Sequence, residues 1–112
     1  MKALDRLLTE RVTVVRAAVT RDRYGNAGTD WDTATRTDTP AWIEPTGASE
    51  NDDQRSGQRA VWRLIVPVGV DITGRDRIEY QGETFEIDGP PLTLRTPRGP
   101  HHVEAVLRWV EG

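Results

Sequence analysis

The sequence predicts an all-β fold, a small closed or nearly closed barrel of about six strands with long loops and at most a short N-terminal helix. Three observations predict it. Apolar residues recur at every second position in several short stretches, which is the period of a strand with one buried face. Clusters of Gly, Pro, Asn and Asp separate those stretches and supply turn chemistry. No stretch keeps a 3.6-residue apolar period long enough for a long helix. Closure suits such a chain, because it removes edges that invite aggregation.

The elements follow in order. Leu4, Leu7 and Leu8 stand at helical spacing in the first ten residues. So short a helix needs something to pack on, and residues 1–10 are either one turn lying on the barrel or an arm reaching a neighbour. From Arg11 the period changes to two. Val12 and Val14 alternate with Thr13, Val15, Ala17 and Val19, so both faces of this strand are partly apolar. Arg21, Asp22, Arg23, Tyr24, Gly25 and Asn26 form a turn-rich segment that leads to Trp31 and a polar stretch of Thr and Asp. Ala41 to Glu44 reads as a short strand between Pro40 and Pro45, which cannot donate to a ladder. The long polar loop, 46–58, holds one Ala and no larger apolar side chain.

Arg59 to Val66 is the strongest strand, with Trp62, Leu64 and Val66 on one face and Val61, Arg63 and Ile65 on the other. Arg77 to Asp88 is a hairpin turning at Gln81 and Gly82, with Ile78, Tyr80, Phe85 and Ile87 inward. The last strand runs from His101 to Val110 with Val103, Ala105, Leu107 and Trp109 as its apolar face.

Composition bounds the function. The 112 residues have room for one domain, 1–112, and for one core without a deep cleft. No run approaches the ~20 apolar residues of a membrane span, and Asp5 and Arg6 interrupt any leader-like stretch, so an intracellular protein without membrane contact is expected. Cysteine is absent, which excludes disulfides, thiolate metal sites and cysteine nucleophiles. Lys2 is the one lysine beside fourteen arginines. That bias reflects either GC-rich coding or a use of Arg for bidentate contacts at interfaces. The net charge of −3 and the scattered acids disfavour nucleic-acid binding by charge alone.

Catalytic groups are hard to assemble. His101 and His102 are the two histidines, and neighbours on a strand point to opposite faces, so they do not chelate one metal. The expectation is one His packed at the sheet edge and one solvated, with a pH-sensitive contact as the alternative. Asp52 and Asp53 lie in a polar loop with no apolar wall to raise a pKa. Ser49 and Ser56 have no histidine near in sequence. The residues around Gly69 and Gly74 lack the spacing of a phosphate loop. Neither enzyme activity nor a cofactor or metal is expected. Of four tryptophans, alternation assigns Trp62 and Trp109 to the core and barrel ends, while Trp31 either caps the barrel or sits in an interface.

Taken in order, these features resemble a known family. Arg11 to Arg16, then Asp22 to Asn26 and Trp31, then Trp42 and Pro45, a polar loop, and Trp62 to Pro67 follow one another. Val70 to Thr73, the hairpin from Asp76 to Gly89, and His102 to Leu107 complete the series. Over nearly the whole chain this resembles the phage head-closure proteins, also called head–tail connector or head-to-tail stopper proteins. The Asp22–Trp31 segment and the hairpin with Ile78, Tyr80, Gly82, Phe85 and Ile87 are the most telling parts.

The resemblance implies a β-barrel subunit of a dodecameric ring in the virion neck, made in the host cytoplasm. Its partners would be further copies of itself, a connector adaptor above, and a tail tube or terminator below. Packaged DNA would pass through the channel without sequence-specific contacts. In such proteins the loop after the second strand projects into the channel. The matching residues here are Gly47, Ser49, Glu50, Asn51, Asp52, Asp53, Gln54, Arg55 and Gly57. Glu50, Asp52 and Asp53 repeated around a ring would form a negative constriction. This loop is modest in length and carries Arg55, so lining the channel, or meeting the adaptor, competes with plugging it. Arg21, Asp22, Arg23, Tyr24, Gly25, Asn26 and Trp31 are the expected contacts to neighbouring subunits. Two other readings compete. One is a different tail-junction ring subunit, such as a tail terminator or completion protein. The other is an OB-like nucleic-acid-binding module, which would need aromatics and basic residues on one sheet face. Alternation puts Trp62 and Arg63 on opposite faces.

Overall fold

The computed structural model describes residues 2–46 and 61–110. Helix α1 (Lys2–Leu7) precedes seven strands. These are β1 (Glu10–Arg21), β2 (Ala27–Pro45), β3 (Val61–Pro67), β4 (Arg77–Tyr80), β5 (Glu83–Ile87), β6 (Leu92–Thr96) and β7 (Gly99–Val110). Every pairing is antiparallel. The order β3-β2-β1-β4-β5-β7 returns to β3 through a β3–β7 pairing, so six strands close a ring and β6 hangs on β7 outside it. The fold is the all-β, closed architecture that alternation predicts. The seventh strand, β6, lies between Pro91 and Pro97, where no strand is expected from the sequence.

Alternation fills the ring. Val12, Val14, Ala41, Ile43, Leu64, Val66, Ile78, Phe85, Ile87, Val103, Ala105 and Leu107 form one buried cluster. Its small and branched side chains pack a six-stranded barrel without leaving a lumen. Trp62, Tyr80 and Trp109 pack against this core at the end where the β4–β5 turn lies, and Trp62 meets Phe85 edge-on at 5.2 Å. The barrel-end role read for Trp62 and Trp109 is therefore what the fold uses. Tyr80 donates its hydroxyl to Glu10 at 3.0 Å and Trp109 donates its indole N–H to Glu83, so each keeps a polar partner. Burial, helped by that carboxylate, pushes the Tyr80 phenol up. Val70 and Ile72 pack on the core from the connection that enters at the opposite end.

Outside the ring, Leu4 and Leu8 cover Ile65, with Trp42 at the margin. In this chain α1 therefore lies on the barrel. This also explains why β3 is buried on both faces: Leu64 and Val66 point in, and Ile65 points out beneath α1.

Two strands depart from the expected boundaries. β2 is one strand of nineteen residues that takes in the Thr- and Asp-rich stretch and both prolines. Pairing with β1 holds the polar part in line, overriding its low apolar content. Pro40 is tolerated because β2 meets β3 only from Trp42 onward, which leaves an open edge at Pro40. The β4–β5 turn matches expectation. Gln81 and Gly82 both take positive φ, 52° and 80°, the pair of left-handed residues that a two-residue turn matched to strand twist requires.

Candidate functional site

At the end opposite the β4–β5 turn, β1 and β2 continue past the barrel as a two-stranded ribbon, paired from Ala18 with Asp30 to Arg21 with Ala27. Its base is a large bulge. Between the Arg16–Thr35 and Ala18–Asp30 pairs, Ala17 faces Trp31, Asp32, Thr33 and Ala34. The Asp30 carboxylate closes the excursion by accepting from the Asp32 N–H and the Thr33 hydroxyl, both at 2.9 Å. Such a bulge bends a strand and re-aims its side chains.

The ribbon tip is the predicted Arg21–Asn26 segment, and it is ordered by local chemistry. The Asp22 carboxylate accepts from the backbone N–H of Tyr24 at 2.8 Å and of Asn26 at 2.9 Å. Gly25, at φ +84°, donates its N–H to the Asp22 carbonyl at 3.0 Å. These amide donors, Asn26 first, hold the Asp22 carboxyl below the usual carboxylate range. The Arg21 guanidinium donates to the Gly25 carbonyl at 3.1 Å, and the Arg23 guanidinium lies 5.4 Å from the centre of the Tyr24 ring. Tyr24 is 76% exposed on this rigid mount. Trp31 does not join the tip. It sits five residues from Asn26, about 17 Å along an extended strand, half-buried under the Arg77 guanidinium at 4.1 Å.

Between ribbon and barrel, Arg16 joins two carboxylates. It donates to Asp76 from Nε and from a terminal nitrogen at 3.0 Å each, and to Asp71 at 2.8 and 3.0 Å. The Asp76 side chain is buried and also accepts the Thr73 N–H at 2.8 Å. The hydrogen bonds to Asp76, and next those to Asp71, raise the Arg16 pKa beyond its ordinary value; Arg16 in turn lowers Asp71. Here every charge has its counterpart, so the network fixes a barrel end and leaves no acid or base free. Beside it a groove of about 690 Å³ is lined by Ala17, Val19, Trp31, Arg75 and Pro90. Gly74 and Gly89 form its tight corner: a Cβ on Gly74 would stand 3.0 Å from the Gly89 carbonyl oxygen.

The histidines depart from expectation. In the β6–β7 ladder, Leu94 pairs with His102 and Arg95 with Pro100, so His101 is the extra residue of a bulge. The bulge defeats alternation and turns both rings to one place. Their Nδ1 atoms are 2.8 Å apart, and His102 Nε2 lies 2.9 Å from Glu104. Neither ring is fully solvated. A hydrogen bond between two Nδ1 atoms needs one protonated and one bare nitrogen. Among the described residues no three His, Asp or Glu side chains converge as a metal site would require.

Sequence reading missed two features. One is the Arg16, Asp71 and Asp76 cluster, whose members lie too far apart in the chain to be paired by inspection. The other is β6, for which Leu92, Thr93, Leu94 and Arg95 carried a short alternation. On it Leu92 is 61% exposed. Apart from Arg11 in the β1 wall, which has no carboxylate partner among the described residues, the arginines of the strands and hairpins divide by place. Arg16, Arg36, Arg63, Arg77 and Arg108 on the barrel each pair with a carboxylate. Arg21, Arg23, Arg75, Arg95 and Arg98, all at the ribbon end, have no carboxylate partner among the described residues. The predicted channel loop, Gly47 to Gly57, lies outside the described residues.

The model of the phage head completion protein family matches residues 6–104. Among solved structures, a Shigella flexneri 2a protein solved in solution aligns at TM-score 0.61 and 21% identity, covering 91% of this chain and 92% of its own. A chain of the virion of a native gene transfer agent particle aligns at TM-score 0.62 and 19% identity, covering 94% of this chain and 97% of its own. At these identities the two structures establish a common fold. No curated protein matches the chain.

Proposed function

The chain belongs to the phage head completion protein family, and from that premise we propose that it is a structural subunit of the head–tail junction and not an enzyme. The observation that carries this reading is the extent of the family match, which runs from Arg6 to Glu104 and takes in α1's end, the ribbon and nearly all of the closed sheet. The fold shared with a virion chain of a gene transfer agent supports the same setting.

In this reading one domain, residues 1–112, is repeated as a dodecameric ring in the virion neck. The ring follows the portal and adaptor, closes the DNA channel and gives the tail its docking surface. The core of each barrel is filled by its own side chains, so DNA passes through the middle of the ring and not through a barrel. The segment from Gly47 to Gly57 turns toward that channel, where Glu50, Asp52 and Asp53 repel phosphates. Arg21 to Asn26, with Trp31 at the ribbon's base, meet neighbouring subunits. The exposed, locally ordered tip favours such contacts, because little is lost in ordering it on binding.

The test is production of particles from a phage or transfer-agent genome that lacks this chain. The expected product is heads that package DNA but lose it and bear no tails. Complete tailed particles with retained DNA would overturn the reading.

A further inference from the structure

Three strand edges stay open among the described residues, those of β1 beyond Val15, of β2 and of β6, and the last two are complementary. β2 pairs with β1 along its length and meets β3 only over Trp42–Pro45; its other edge is unpaired from Ala27 to Pro40. β6 pairs with β7 on one side and with nothing on the other. Open edges template further pairing, and proteins block them with lysine, proline or inward charges. From Ala27 to Asp30 the β2 edge has no lysine, proline or bulge. We propose that β6 of one copy adds to the ribbon edge of β2 in the next, Ala27–Trp31, as the third strand of the ribbon. This rests on the ring reading above and names the surfaces that build it.

Three observations carry the pairing. The ribbon beyond the bulge is two-stranded, and a two-stranded hairpin is marginal until a third strand or a packed face completes it. β6 has five residues, enough to span the regularly paired stretch Ala27–Asp30 and to reach Trp31, the first residue of the bulge.

Alternation then matches face to face. Val19 pairs with Thr29, so Val19, Thr29 and Trp31 share the ribbon face that lines the 690 Å³ groove. Leu92 and Leu94, 61% and 37% exposed, share one face of β6. Added with the leucines on the groove side, β6 covers the groove with them. The same orientation places Arg95 on the face of Asp30, with Arg98 beyond the strand end and Asp32 in the bulge.

Charge selects this pairing over the alternatives. Joining β6 to β6 of another copy crowds two Arg95 and two Arg98 along one short seam. Joining ribbon to ribbon crowds Asp30 and Asp32 from both copies. Like charges across a strand pair are destabilising, so both self-pairings are penalised and the cross-pairing is favoured. A contact between two different surfaces of one chain is heterologous, and repetition of it closes into a ring when the rotation permits.

The chain has no cysteine, so introduced thiols report without background. Thr29→Cys and Leu94→Cys are both at exposed positions. Particles carrying the double variant are treated with a bis-maleimide that spans diagonal cross-strand neighbours, about 8 Å, and run on a denaturing gel. The expected result is a ladder beyond the dimer, with each single variant remaining monomeric. Adding Arg95→Glu should weaken the ladder at least tenfold, and adding Asp30→Arg to that should restore it. Dimers from either single variant would mean self-pairing and overturn the proposal. A ring visible by electron microscopy without crosslinks would overturn it and leave the ring reading standing. Absence of any ring in the particles would overturn both.

Discussion

The barrel wall and the ribbon end are built from the same chain on opposite terms. In the wall, side chains satisfy one another: the apolar face fills the core, and Arg36, Arg63, Arg77 and Arg108 are matched on the outer surface by Glu79, Glu44, Glu86 and Asp88. At the ribbon end, two hairpins extend past the core with Val19, Tyr24, Leu92 and Leu94 exposed. The arginines there lack carboxylate partners among the described residues. The wall is satisfied from within, whereas the ribbon end leaves exposed apolar surface and, among the described residues, unpaired strand edges. Under the proposed function, stability and assembly occupy separate residues, and substitutions should separate them.

The largest effect belongs to the wall core. Phe85→Ala empties a fully buried site and should cost about 3–5 kcal/mol, read as a lower midpoint in urea unfolding; a loss under 1 kcal/mol would mean a looser core. Next comes the joint between the two regions. Asp76→Ala leaves Arg16 with Asp71 alone and strands the Thr73 N–H, for an expected loss of about 2 kcal/mol, with far-ultraviolet dichroism unchanged.

A smaller effect is expected from acid. Asp22, Glu44 and Asp71 are held below the carboxylate range, by backbone amides, by the Trp42 indole with Arg63, and by Arg16 respectively. Their ionised forms are favoured by folding. Their contribution is full above the unfolded value of about 4 and is lost as pH falls through the lowered folded values. Melting temperature should hold steady from pH 7 to about 5 and decline below about 4. A rise on acidification would contradict these assignments. Smallest of all for stability is Tyr24→Ser at the tip, expected within about 0.5 kcal/mol of the parent although it impairs assembly into particles.

The wall was legible in the sequence because alternation over Val12–Val14, Leu64–Val66, Ile78–Tyr80 and Val103–Trp109 is set by burial, and burial is local information. The Gln81–Gly82 turn was legible for the same reason. The ribbon end was less so. The polar half of β2 carries no apolar face and becomes strand through pairing with β1. β6 alternates over five residues between prolines and reads as a loop until β7 is beside it. The two histidines meet because a bulge cancels the alternation that would separate them. The arginine cluster at Asp71 and Asp76 is a property of topology, which no spacing encodes. The Asp22–Asn26 tip is legible through its turn residues, because its hydrogen bonds are local.

Amide hydrogen exchange, compared between the isolated chain and virions that contain it, tests the division most directly. The account predicts slow exchange at Thr13–Val15 and Leu64–Val66 in both states. It predicts fast exchange at Thr29–Trp31 and Leu92–Thr96 in the isolated chain, becoming slow in the particle as both edges find partners. Edges already protected in the isolated chain, or still fast in the particle, would contradict it.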